Sequence, residues 1–133
     1  MRYMLLMNYE GGAGCDVPMG EWAPADIAAH IDFQRALGRE LTDAGELVDA
    51  QGLAAPETSK VVTWDGRNAP VVTDGPFAES KEFLAGYWIV DVDSEQRALQ
   101  IAAKASTAPG KGGVPIQQPI EVRQVMAAPA VES

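Results

Sequence analysis

From Tyr3 to Tyr9 both parities of the chain are apolar, with Tyr3, Leu5, Met7 and Tyr9 on one and Met4 and Leu6 on the other. A strand covered on both faces reads as such a continuous run rather than as an alternation. The pattern then breaks into a Gly-rich stretch, Asn8 to Trp22, whose Gly11-Gly12-Ala13-Gly14 lacks the Gly-Lys-Ser/Thr of a phosphate loop and reads as a lid or rim. Pro24 suits a first helical position and Asp26 the positive end of a helix dipole. From there to Ala44 the spacing is helical. Ile27, Ile31, Leu37, Leu41 and Ala44 fall on one face, with His30 and Gln34 inside the same arc, and Asp32, Arg35, Arg39 and Asp43 opposite. Gly45 is the expected stop.

Glu46–Leu53 predicts a second strand. Lys60–Trp64 and Ala69–Thr73 predict a hairpin across Asp65-Gly66-Arg67-Asn68, with Asp-Gly as the turn signal. Gly86–Val92 is again apolar on both parities. Asp93 or Ser94 is placed to cap a second helix, with Gln96 in reach of a capping box and Ala98, Ile101, Ala102 and Ala105 as its packing stripe. A Gly/Pro loop, Ala108–Pro115, leads to a last strand at Ile120–Met126.

The order is β-α-β, hairpin, β-α-β, a ferredoxin-like α+β fold. It predicts one domain over residues 1–126 and a flexible tail over 127–133. Two helices cover only one face of such a sheet, yet two strands are apolar on both. The second face needs a cover, and a second copy across a two-fold axis supplies one. The expectation is a homodimeric α+β barrel.

Size and charge narrow the function. At 133 residues the chain can bury a core without staples. With 19 acidic against 10 basic side chains the net charge is −9, which disfavours direct nucleic-acid binding. Cys15 is the single cysteine, so neither an internal disulfide nor a thiolate metal cluster is expected. With no apolar run of membrane-spanning length, the expected compartment is the cytoplasm, without a membrane partner.

The densest run of chemistry is Thr73-Asp74-Gly75-Pro76-Phe77-Ala78-Glu79-Ser80-Lys81-Glu82. Asp74-Gly75-Pro76-Phe77 with Glu79, Lys81, Glu82 and Gly86-Tyr87 resembles the signature of the DGPF-type branch of the YCII-related proteins. The opening Arg2-Tyr3-Met4-Leu5-Leu6, the strand start Gly45-Glu46-Leu47-Val48 and its end Gly52-Leu53 fit as well. The resemblance implies a dimeric ferredoxin-like α+β barrel and an active-site histidine, sometimes paired with an aspartate. It also implies an association with alternative sigma factors, and, by way of a few relatives, chemistry on small aromatic compounds such as dehydrochlorination.

Read on their own, the candidate residues leave two accounts open. His30, the one histidine, is either a core imidazole or a general acid/base. Asp49 either faces water or orients the His30 ring. Asp74 and Gly75 build a turn, Gly75 by allowing positive φ, or stand with Glu79, Glu82 and Lys81 at a ligand mouth. Trp88 is core or pocket wall, and Arg123 pairs with Glu121 or recognises a carboxylate. One histidine and no cysteine cluster argue against zinc or iron, so neither metal nor cofactor is expected. One functional reading is a small-molecule enzyme with His30 and Asp49 catalytic and Asp74, Glu79, Lys81, Trp88 and Arg123 binding substrate. The other is a non-catalytic dimeric ligand-binding or regulatory module, with a sigma factor as its partner.

Overall fold

A computed structural model describes residues 1–8, 21–75 and 84–127. In chain order these form β1 (Arg2–Asn8), α1 (Pro24–Asp43), β2 (Leu47–Gly52), β3 (Lys60–Thr63), β4 (Val71–Asp74), β5 (Leu84–Asp91), α2 (Glu95–Ser106) and β6 (Ile120–Gln124). Strands β2-β5-β1-β6 make one antiparallel sheet, and β3-β4 make a separate two-stranded ribbon. This is the ferredoxin-like α+β arrangement that the element order predicts. Residues 9–20 of the loop between β1 and α1, the end of the Asp74–Glu82 run and the expected tail from 128 onward lie outside the described residues.

The two parities of the central strands separate the layers. Tyr3 opposes Val90 and Leu5 opposes Trp88 across β1 and β5, and all four are buried beneath the helices. Leu37 and Leu41 of α1 and Ala98, Ile101, Ala102 and Ala105 of α2 close over them. Fully burying Leu5, Leu41 and Val90 contributes about 1.5–3 kcal/mol each. The alanine stripe lets α2 lie close to the sheet. The opposite parity, Met4, Leu6, Tyr87 and Ile89, is only half-buried.

Caps fix the helix ends. Pro24 stands in the first turn of α1, where its missing N–H costs nothing. At the other end Gly45 adopts φ +72° and its N–H reaches the Thr42 carbonyl at 3.0 Å, while Glu46 N–H reaches that of Leu41 at 2.9 Å. These are the paired bonds of a Schellman stop. The cap of α2 is Ser94, whose hydroxyl accepts from Arg97 N–H at 3.2 Å. That choice puts Arg97, not Gln96, at the third helical position, so Gln96 makes no capping box with it.

Two local expectations change. Ile31 is 37% exposed instead of joining the core, because it stands in the wall of an open cleft. Gly75 is required for space and not for positive φ. A Cβ there would sit 2.3 Å from Ser59 Oγ and 3.3 Å from the Ser59 carbonyl oxygen, which accepts the Gly75 N–H at 2.8 Å. In the hairpin turn the expected chemistry holds. Asp65 Oδ1 accepts from Arg67 and Asn68 N–H at 2.9 and 3.0 Å, and Gly66 takes φ +82°. These bonds to the ionised form hold the Asp65 carboxyl below its usual range.

Candidate functional site

A cleft of about 870 Å³ opens between α1 and the adjoining parts of β1, β2 and β5. The room comes from missing side chains. Gly38 on the helix and Ala50, Gly52 and Gly86 on the strands all line the cleft and bring little or no side chain. At Gly86 nothing larger fits, because a Cβ would lie 2.8 Å from the Gln51 carbonyl oxygen and 3.4 Å from Met7 Cε. At Gly38 a Cβ would make ordinary contact, 3.8 Å from Cζ3 of Trp88.

His30 stands in the cleft wall, 5% exposed. Its Nδ1 lies 2.9 Å from the carbonyl oxygen of Pro109. A carbonyl can only accept, so Nδ1 carries the proton and, in the neutral ring, Nε2 is left as an acceptor. The Trp22 ring meets the imidazole edge-on, with centroids 5.5 Å apart and planes at 77°. Trp22 itself is buried with Ala108 and Ile116.

The loop that supplies Pro109 is braced from both sides. Ile116 N–H bonds the Ala108 carbonyl at 2.8 Å and Gly110 N–H that of Val114 at 2.7 Å. Asp26 Oδ2 in the first turn of α1 accepts from Gly112 N–H at 2.9 Å. The Asp26 carboxylate thus serves both the helix dipole and the loop that orients the histidine. Tautomer and ring plane are therefore set by the fold.

Asn8, Gln34, Arg35 and Gln118 line the cleft with His30, with apolar surface between them, and no described carboxylate lies in its lining. Such a lining suits an uncharged or singly anionic, largely apolar molecule. Trp88 lines the cleft too, and its Nε1 is buried without a partner among the described residues. Among the described residues, no group of three or more His, Cys, Asp or Glu side chains is placed to hold a metal ion. No described helix is long and apolar enough to cross a membrane.

The expected site residues thus separate. His30 and Trp88 share the cleft. The expected His30–Asp49 pair is not formed, because Asp49 lies on the half-buried side of the sheet, in register with Ile89. Its Oδ1 accepts from Ala50 N–H at 2.9 Å and Gln51 Nε2 at 3.1 Å, and its Oδ2 from the Tyr87 hydroxyl at 3.1 Å. A one-residue irregularity in pairing between Leu47 and Asp49 reorders the parity of β2, so the alternation read from sequence does not carry through it.

Arg123 is in register with Met4 on that same side, exposed, and makes no ion pair with Glu121 among the described residues. Asp74 is a cross-strand partner of Lys60, and their charged ends meet. Glu79, Lys81 and Glu82 lie outside the described residues. Sequence reasoning missed Trp22, Gly38, Pro109 and Gln118. Gly38 was readable, two helical turns after His30 on its face. The others reach the site only through tertiary packing.

A family model described as the YCII-related domain matches residues 1–117 of the chain. An uncharacterized protein of Rhizobium meliloti (strain 1021) is 36% identical over 73 residues, which span 55% of this chain and 58% of that protein.

Proposed function

The chain belongs to the YCII-related family, and from that premise we propose that its cleft binds a small, largely apolar molecule on which His30 acts as general base. The observation that carries this reading is the committed Nδ1 of His30, bonded to Pro109, in the wall of a roomy cleft. A ring held in one tautomer presents Nε2 as a proton acceptor without further reorganisation. No carboxylate is needed for orientation when a backbone carbonyl provides it. Membership of the DGPF-type branch and a cytoplasmic place of action accompany the proposal.

The proposal includes a homodimer whose two sheets cover each other's half-buried face, where Met4, Leu6, Tyr87 and Ile89 lie. Asp49 and Arg123 then act at that face, and Asp74, Glu79 and Lys81 form a charged rim. The second reading, a ligand-binding or regulatory module working with a sigma factor, is favoured by one fact. Among the described residues, His30 has no carboxylate partner that would stabilise an imidazolium.

Indane, an apolar bicyclic probe, tests the binding claim. Calorimetry is expected to show saturable binding to the wild type and weaker binding to Gly38→Leu, which fills the cleft. Equal binding by both proteins contradicts it. His30→Gln separates the two readings once turnover of any compound is found: lost turnover with retained binding supports the base, and an unchanged rate removes His30 from catalysis.

A further inference from the structure

Beside the cleft lies a second cavity of only about 10 Å³. Its wall includes His30, Gln34, Trp88, Ala105, Ala108 and Gln118. Four of these, His30, Gln34, Trp88 and Gln118, also line the large cleft, so the two spaces adjoin. A volume of this size accommodates one oxygen atom and little more.

The Trp88 indole is 6% exposed, and its Nε1 is, among the described residues, the buried side-chain nitrogen without a hydrogen-bond partner. Cζ3, on the benzo ring across the indole from Nε1, is the atom nearest Gly38, at 3.8 Å from a Cβ built there. The N–H edge is therefore turned away from Gly38, and the Trp88 side chain lines the small cavity together with His30. A buried N–H left without an acceptor costs roughly 1–3 kcal/mol, and native proteins seldom leave one so. His30 brings the complementary group: with Nδ1 given to Pro109, its Nε2 accepts.

We propose that the small cavity is an oxygen subsite, in which a hydroxyl of the bound molecule accepts from Trp88 Nε1–H and donates to His30 Nε2. The inference rests on the cleft-binding reading and makes it more specific. It names an apolar alcohol or enol as the class of ligand and Trp88 as the residue that selects it. A hydrocarbon leaves both polar groups unpaired, and an ether satisfies Trp88 alone. Should His30 act as base, the proton of that hydroxyl passes to Nε2, and the negative charge left on oxygen faces the Trp88 N–H. Atoms and charge balance within the pair, with no further reactant.

Three matched probes, indane, 2-methoxyindane and 2-indanol, test it by calorimetry and by the indole N–H resonances of the three tryptophans. The expected order of affinity is alcohol over ether over hydrocarbon, with about a tenfold span between the ends. The alcohol is expected to move the Trp88 indole N–H to lower field, and Trp88→Phe to reduce the alcohol-over-hydrocarbon preference about fivefold. The resonance in the unaltered protein keeps the test valid even if the variant folds poorly. Saturable binding of all three with equal affinity and an unmoved Trp88 N–H overturns the subsite while leaving the cleft in place. An indole N–H already bonded to a resident water, and unchanged by the alcohol, overturns it as well. No binding of any probe overturns the cleft reading and the subsite with it.

Discussion

The hydroxyl of Tyr87 donates to Asp49 Oδ2 across 3.1 Å, on the side of the sheet away from His30. That bond is to the ionised carboxylate, and it holds the Tyr87 phenol above its usual range, with burial and the Asp49 charge adding to the effect. Because the folded value is raised, the stabilisation is present below the unfolded tyrosine value and is lost as pH rises through the folded one. A titration of phenolate absorbance, differenced against Tyr87→Phe, is expected to show late ionisation. Asp49→Asn should return it towards the ordinary value, and an unchanged curve would mean that the pair is not made in solution.

Arg97 clasps Glu46 with two parallel bonds of 2.8 Å, tying the start of α2 to the start of β2. The guanidinium holds the Glu46 carboxyl below its usual range, against the opposing effect of burial. Glu46 is mostly covered but Arg97 is 39% exposed, so the clasp contributes about 1 kcal/mol rather than the value of a dry pair. Its stabilisation is present above the unfolded glutamate value and is lost as pH falls through the lower, folded one. Denaturation of Glu46→Gln should therefore show a deficit at neutral pH that vanishes in acid. A deficit independent of pH would indicate lost packing instead.

Two glycines that line the cleft, Gly38 and Gly86, are expected to respond in opposite senses. Gly38→Ala adds a methyl in ordinary contact with Trp88 and removes a helix-interior glycine, so it should stabilise by about 0.5–1 kcal/mol. Gly86→Ala drives a methyl to 2.8 Å from the Gln51 carbonyl and should cost about 1–3 kcal/mol. Thermal or urea denaturation of both variants provides the check.

Gly75→Ala should also destabilise, by about 1–3 kcal/mol, through its approach to Ser59. Because the nearest atom is Ser59 Oγ, the double variant with Ser59→Ala should recover part of that loss. No recovery in a double-mutant cycle would mean that the backbone of Ser59, not its hydroxyl, sets the limit.

Much of the fold could be read along the chain. The stripe Ala98, Ile101, Ala102 and Ala105 is buried as its spacing implies, Gly45 makes its stop, and Asp65-Gly66 makes its turn, because each depends on local backbone chemistry. The site was legible only in part. His30 and Gln34 lie one helical turn apart on a predicted inner face, so their place in the cleft followed from period alone. The pairing of His30 did not, since one irregular step in β2 put Asp49 on the other side of the sheet. Pro109 contacts His30 from 79 positions away through a loop with no periodic signal. Gly75 shows the same limit: its role follows from the nearness of Ser59 and not from its own φ.

The most direct test of the ligand-binding cleft is a map of nuclear Overhauser contacts from bound indane to the protein. The account predicts contacts to the single histidine ring and to the Gly38 Hα, both in the cleft wall. Contacts instead to Trp64, the 62% exposed indole of the hairpin, or no saturable contacts at all, would contradict it.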